Sequence, residues 1–188
     1  MDKSIYEGIS PISGIEINGY SNHLVLIDAL FKNVKKGAIK HIFEYGCGFG
    51  STAYFLQKSK SVIALEMQSD GWFWRVRNDL KPIYPHLEIH LALERCHWNF
   101  LGKFNQNFDL VFVDGHGDTR PECINYAMGK GVPYIVSHDT EEKGYGWERV
   151  INNQEYHKLT MRDFNNWTTL WTTDTQVFGK LKSDFNWF

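Results

Sequence analysis

The stretch "HIFEYGCGFGSTAYFL", residues 41–56, decides the fold. An apolar run ending at Tyr45 meets three glycines at alternate positions, Gly46, Gly48 and Gly50. A helical segment follows from Ser51. The reading is strand, tight turn, helix, a turn in which backbone comes close to a ligand at the helix N-terminus.

Outward from that stretch the same alternation repeats. Upstream, "SNHLVLIDALFKNV" has Leu24, Ile27, Leu30, Phe31 and Val34 at helical spacing, with Ser21 or Asn22 as N-cap. Downstream come the strand "SVIALE", a helix that stops near Pro82, and the strands "LEIHLAL" and "FDLVFVDG". "RPECINYAMGKG" reads as a helix with Pro in its first turn and glycines at its end. The strand "VPYIVSHD" and a short helix "YGWERVINNQ" complete the alternation. The Thr- and Trp-rich remainder, "YHKLTMRDF" and "NWTTLWTTDTQVFGKL", reads as two strands in a hairpin at the sheet edge.

Five strand–helix alternations give an α/β fold: a Rossmann-like, doubly wound, mostly parallel sheet with helices on both faces. Strands apolar on both sides, such as "VIAL" and "DLVFV", fit burial between helix layers. The expected organisation is one domain over 1–188. An N-terminal arm and helix occupy 1–36, a ligand-binding core 38–140, and a C-terminal helix with edge strands 141–188.

Composition excludes several classes. The chain has 188 residues, 43% hydrophobic and 22% charged, with net charge −2. No basic run marks a nucleic-acid binder. The three cysteines, Cys47, Cys96 and Cys123, form no CxxC, so reduced thiols in the cytoplasm are expected. No segment has transmembrane length, and the N-terminus lacks an apolar signal core. The tail "SDFNWF", with Phe185, Trp187 and Phe188, is expected to pack on the core or on another subunit, as in a homodimer.

In a parallel sheet of this type ligands bind beyond the carboxyl ends of the strands. Those ends carry Glu44, Glu66, Asp114, and His138 with Asp139. The glycine turn lacks the Lys of a phosphate loop, and it reads GxGxG rather than GxGxxG. Glu44, two residues before Gly46, would repel a pyrophosphate and welcome a cation. Glu66, about 20 residues on, suits ribose hydroxyls. Met67 offers a face for adenine. S-adenosylmethionine combines an ammonium, a sulfonium and a ribose with no phosphate.

The residues resemble class I S-adenosylmethionine-dependent methyltransferases. "FEYGCGFGSTAYFL" is similar to their first motif, "VIALEM" to their second and "FDLVFVDGHGD" to their fourth, over roughly residues 38–140. The resemblance implies seven strands, the last two forming an antiparallel hairpin. It implies a cofactor site of Glu44, Gly46, Cys47, Gly48, Ser51, Glu66, Met67 and Asp114, with Glu94 or Trp98 by the adenine. Cys47 itself reads as small filler between the glycines.

The nearest branch resembled is the catechol-type small-molecule O-methyltransferases. "DGHGD" replaces the DPPY or NPPY of DNA amino-methyltransferases. In the catechol type, acids after strands four and five hold Mg²⁺, here Asp114 and Asp139. Two departures stand out: Thr140 where that group has Asn, and Gly117 where it has a Lys base. The metal-free alternative makes His116 or His138 the general base beside Asp114, with His116 favoured because it lies on a loop over the site. The expected function is methyl transfer to a small-molecule acceptor, at oxygen. The alternatives are a methyltransferase acting on protein or nucleic acid within a complex, and a nicotinamide-dependent oxidoreductase. An aminopropyl transferase or a cofactor sensor on the same fold also remains open.

Overall fold

The computed structural model describes residues 21–93, 97–162 and 165–184. The strands are β1 (His41–Tyr45), β2 (Ser61–Glu66), β3 (Leu87–Leu91), β4 (Leu110–Val113), β5 (Tyr134–His138), β6 (His157–Met161) and β7 (Thr168–Thr172). The α-helices are α1 (His23–Asn33), α2 (Ser51–Lys58), α3 (Asp70–Leu80), α4 (Arg120–Gly129) and α5 (Thr175–Asp184). The seven strands form one sheet in the order β3-β2-β1-β4-β5-β7-β6. β1 to β5 are parallel, and β7 runs antiparallel between β5 and β6. The expected Rossmann-like sheet with an antiparallel C-terminal hairpin is therefore what forms.

Strand alternation splits the core in two. Ile42, Val62, Ala64, Leu110, Phe112 and Val136 face one way, under Leu24, Ile27, Phe55, Val76 and Leu181 of α1, α2, α3 and α5. Phe43, Tyr45, Ile63, Leu65, Val111, Val113 and Ile135 face the other, under α4 and the 3₁₀ helix His97–Lys103. Almost all these strand residues are fully buried, each contributing about 1.5–3 kcal/mol relative to exposure. The sheet order reverses between β1 and β4, which opens a crevice above their carboxyl ends.

The last third departs from expectation. The helix expected over 145–154 is reduced to 3₁₀ turns, Lys143–Tyr145 and Trp147–Arg149. Residues 175–181, read as strand, are the start of α5. Asp174 starts that helix by accepting from the backbone N–H of Gln176 and Val177, both at 3.0 Å. Val177 and Leu181, four apart, then bury against α1. Strand propensity in the preceding "TTLWTT" hid this start. The aromatic tail lies outside the described residues, as does the N-terminal arm. Among the described residues no helix is long and apolar enough to cross a membrane.

Candidate active site

The glycine turn is fixed by sterics. Gly46 has φ +84°, and a Cβ there would lie 2.5 Å from the backbone oxygen of Asp114. Only glycine lets β1 and β4 end this close together. The N–H of Gly46 donates to Leu65 O at 2.7 Å, and that of Gly48 to Thr52 Oγ1 at 2.8 Å.

Glu44 is fully buried behind this turn. Its carboxyl accepts hydrogen bonds from the hydroxyls of Ser51 and Thr52 on the first turn of α2. Burial pushes it up to about 8, against the opposing effect of the two hydroxyls. Glu44 and Ser51 thus hold the loop to the helix from within, rather than facing the open cleft.

The cleft itself is lined by Gly46, Cys47, Glu66, Gln68, Ser69, Trp72 and Asp114. Glu66 Oε1 accepts from the backbone N–H of Gln68 at 2.7 Å and Ser69 at 3.1 Å. Among the described residues, its Oε2 meets the Cys47 thiol alone, at 3.4 Å. The thiol is pushed far up, by burial first and the nearby carboxylates second, so Cys47 stays neutral. Met67 is buried, with its sulfur 2.9 Å from where a Cβ on Gly115 would stand. It packs beneath the β4 loop. Trp72, which the sequence analysis did not place at the site, walls the cleft; its Nε1–H donates to Cys47 O at 2.7 Å. Trp98 packs its ring edge on Tyr126, at 5.4 Å. Glu94 lies outside the described residues.

A second group of charges gathers at the ends of β4 and β5. Arg120, the first residue of α4, is only 4% exposed. Its Nη2 lies 3.0 Å from Asp114 Oδ1 and its Nη1 3.4 Å from Asp139 Oδ2. It also donates to Gly115 O and His138 O. The ring of Tyr145 covers the guanidinium at 4.8 Å and occupies the space above Gly117. Sequence reasoning missed Arg120, although a cation on the first turn of a helix opposes the helix dipole and so signals an acid nearby.

His138 is buried, with Nε2 2.8 Å from Asn22 Oδ1 and Nδ1 3.5 Å from both Asp114 and Asp139. Burial alone would lower its pKa, but the hydrogen bond and charge of Asp114 outweigh burial and raise it. Burial likewise works to raise Asp114, and here His138 and Arg120 prevail, holding it at about 2. His23, on the first turn of α1, stacks its edge on His138 at 4.8 Å. Burial, then the neighbouring His138, lowers His23 to about 3, so it is neutral. His116 lies apart on the half-exposed loop after β4, with Nδ1 against the Asp118 carboxylate.

The pair Asp114 and Asp139 does not fit a shared Mg²⁺. A guanidinium bridges the two carboxylates, and Asp139 Oδ1 already accepts from Asn166 Nδ2 at 2.6 Å. Thr140, in place of the third oxygen ligand, spends its hydroxyl on Thr169 at 2.8 Å.

No protein-family model matches the chain, and no curated protein does. Solved structures do. The O-methyltransferase from Bacillus cereus in complex with SAH (S-adenosylhomocysteine) is 12% identical, over 92% of this chain and 92% of that one, with a TM-score of 0.62. The O-methyltransferase TomG from Streptomyces achromogenes, involved in tomaymycin synthesis and bound to SAM (S-adenosylmethionine), is 14% identical over 93% and 91%, with a TM-score of 0.62. An rRNA methylase from Streptococcus thermophilus is 16% identical over 85% and 98%, with a TM-score of 0.55. At these identities the likeness is one of fold. The chain has the fold of class I S-adenosylmethionine-dependent methyltransferases.

Proposed function

We propose that the chain is an S-adenosylmethionine-dependent methyltransferase acting on an oxygen of a small-molecule acceptor. One observation carries the reading. Among the described residues, the cleft at the switch point is lined by two carboxylates, Glu66 and Asp114, and by no basic side chain. Such a cleft repels a pyrophosphate and suits a cofactor that carries cationic groups and a ribose but no phosphate. The likeness to O-methyltransferases bound to SAH or SAM supports it.

Each cleft residue has a task in this reading. Backbone N–H groups of Gln68 and Ser69 orient Glu66, leaving Oε2 to accept from the ribose hydroxyls. The part-exposed indole of Trp72 offers a flat wall for the base. Asp114, held ionised, faces the positive methionine portion. When bound, S-adenosylmethionine would supply the methyl group, its sulfonium becoming a thioether as the methyl bonds to the acceptor oxygen. The acceptor's hydroxyl proton goes to His116 Nε2, whose ring is oriented through Nδ1 by Asp118. Much of the rate then comes from in-line positioning.

Calorimetric titration with S-adenosylmethionine, S-adenosylhomocysteine and NAD tests this. Saturable binding of the first two, at least tenfold weaker in Glu66→Ala, is expected. Binding of NAD instead, or of none, overturns the reading.

A further inference from the structure

We infer that His23, Asp114 and His138 form a site for a divalent first-row transition-metal ion, distinct from the acid pair Asp114 and Asp139. One ligand atom from each of the three lies within 4.8 Å of the others. An ion about 2.1 Å from each ligand in tetrahedral geometry spaces them by ~3.4 Å, so closure needs the widest pair to draw in by about 1.4 Å.

Three observations converge on this cluster. First, His23 is 3% exposed, and among the described residues neither ring nitrogen has a hydrogen-bond partner. Buried polar atoms without partners are costly and rare, and an unpartnered imidazole beside a carboxylate and a second imidazole calls for a ligand. Second, His138 is oriented as metal-bound imidazoles are. Asn22 Nδ2 donates to Asn166 O at 2.6 Å, so Asn22 Oδ1 must be an acceptor. It takes the Nε2–H of His138 and leaves Nδ1 facing Asp114. Third, Arg120 holds Asp114 in place through Oδ1, the oxygen that also lies 3.5 Å from His138 Nδ1. Arg120 and Asp139 are the other charges facing the cluster. Metal binding releases the proton that His138 shares with Asp114, and two carboxylates against one guanidinium then leave one negative charge for the ion to meet.

The donor set chooses the ion. Two imidazole nitrogens and one carboxylate suit Mn²⁺, Fe²⁺, Co²⁺ or Zn²⁺ and not Mg²⁺, which demands an oxygen shell. Asp114 also lines the cofactor cleft, so a bound ion borders the place where the acceptor oxygen would sit. Metal binding itself does not depend on the methyl-transfer reading and is measured without cofactor.

The test uses the full chain, stripped with a chelator and titrated with Co²⁺ while visible ligand-field absorption is followed. One equivalent should develop a band that Zn²⁺ displaces and excess Mg²⁺ does not. His23→Phe should weaken binding at least tenfold and alter the band. If that variant fails to fold by circular dichroism, His23→Gln takes its place. No band with the wild-type chain, a band unchanged by replacing His23, or displacement by Mg²⁺ overturns the proposal.

Discussion

The two halves of the cleft are built differently. On the β1–β2 side the work is done by backbone: Gly46 closing on Asp114, and the N–H groups of Gln68 and Ser69 gripping Glu66. On the β4–β5 side it is done by side chains from distant places: Asn22, His23, Arg120, His138 and Asn166. The first half is a shape that a short motif can specify. The second is a balance of charges, in which each group is tolerable in the interior only because of the others.

The sharpest way to break the contrast is Gly46→Ala. Its Cβ has no room and its φ disfavours any side chain, so cofactor binding should be lost and stability should fall by at least about 3 kcal/mol in urea unfolding. Next is Arg120→Met, which leaves two carboxylates facing each other across a largely buried gap. A loss of about 3 kcal/mol is expected at pH 7, partly recovered as the pH falls towards 4 and the carboxylates take up protons. Arg120→Lys should recover only part of it, because an ammonium cannot span both acids.

The smallest effect concerns the sign of pH dependence. Glu44 is raised from 4.5 to about 8, so its contribution is complete below pH 4.5 and fades as pH rises through 8. Asp114 is lowered from 3.8 to about 2, so its contribution is complete above pH 4 and fades towards 2. Glu44→Gln should flatten the decline between pH 5 and 8.5 in denaturant midpoint scans.

What the sequence made legible follows the same division. Strand ends, the glycine turn, Glu66 and the antiparallel edge were readable because each is set by neighbours in the chain. Glu44 was placed at the correct strand end, yet its direction was not readable. Ser51 and Thr52, one turn of helix later, draw it inward. Asn22 was read as an N-cap; it precedes α1 but makes no capping bond, its amide being spent on Asn166 and His138 instead. Such pairings across more than a hundred residues leave no local pattern. The buried polar pair Asn22 and His23 beside an apolar helical stripe was the one available sign. The segment 141–149 is pinned by Arg149, which pairs with Glu122 and donates to Asp118 O and Tyr145 O.

The Asn22 amide sets an order of assembly during synthesis. Its partners stand 116 and 144 residues further along the chain. A nascent chain that has emerged as far as β4 already contains everything needed to close Gly46 on Asp114. The charge cluster must wait until the β6–β7 turn leaves the ribosome and residue 166 can reach back to residue 22. A chain stopped at residue 150 would therefore carry a finished glycine turn beside an open cluster. Translation past residue 166 is what completes the cluster around Asp114.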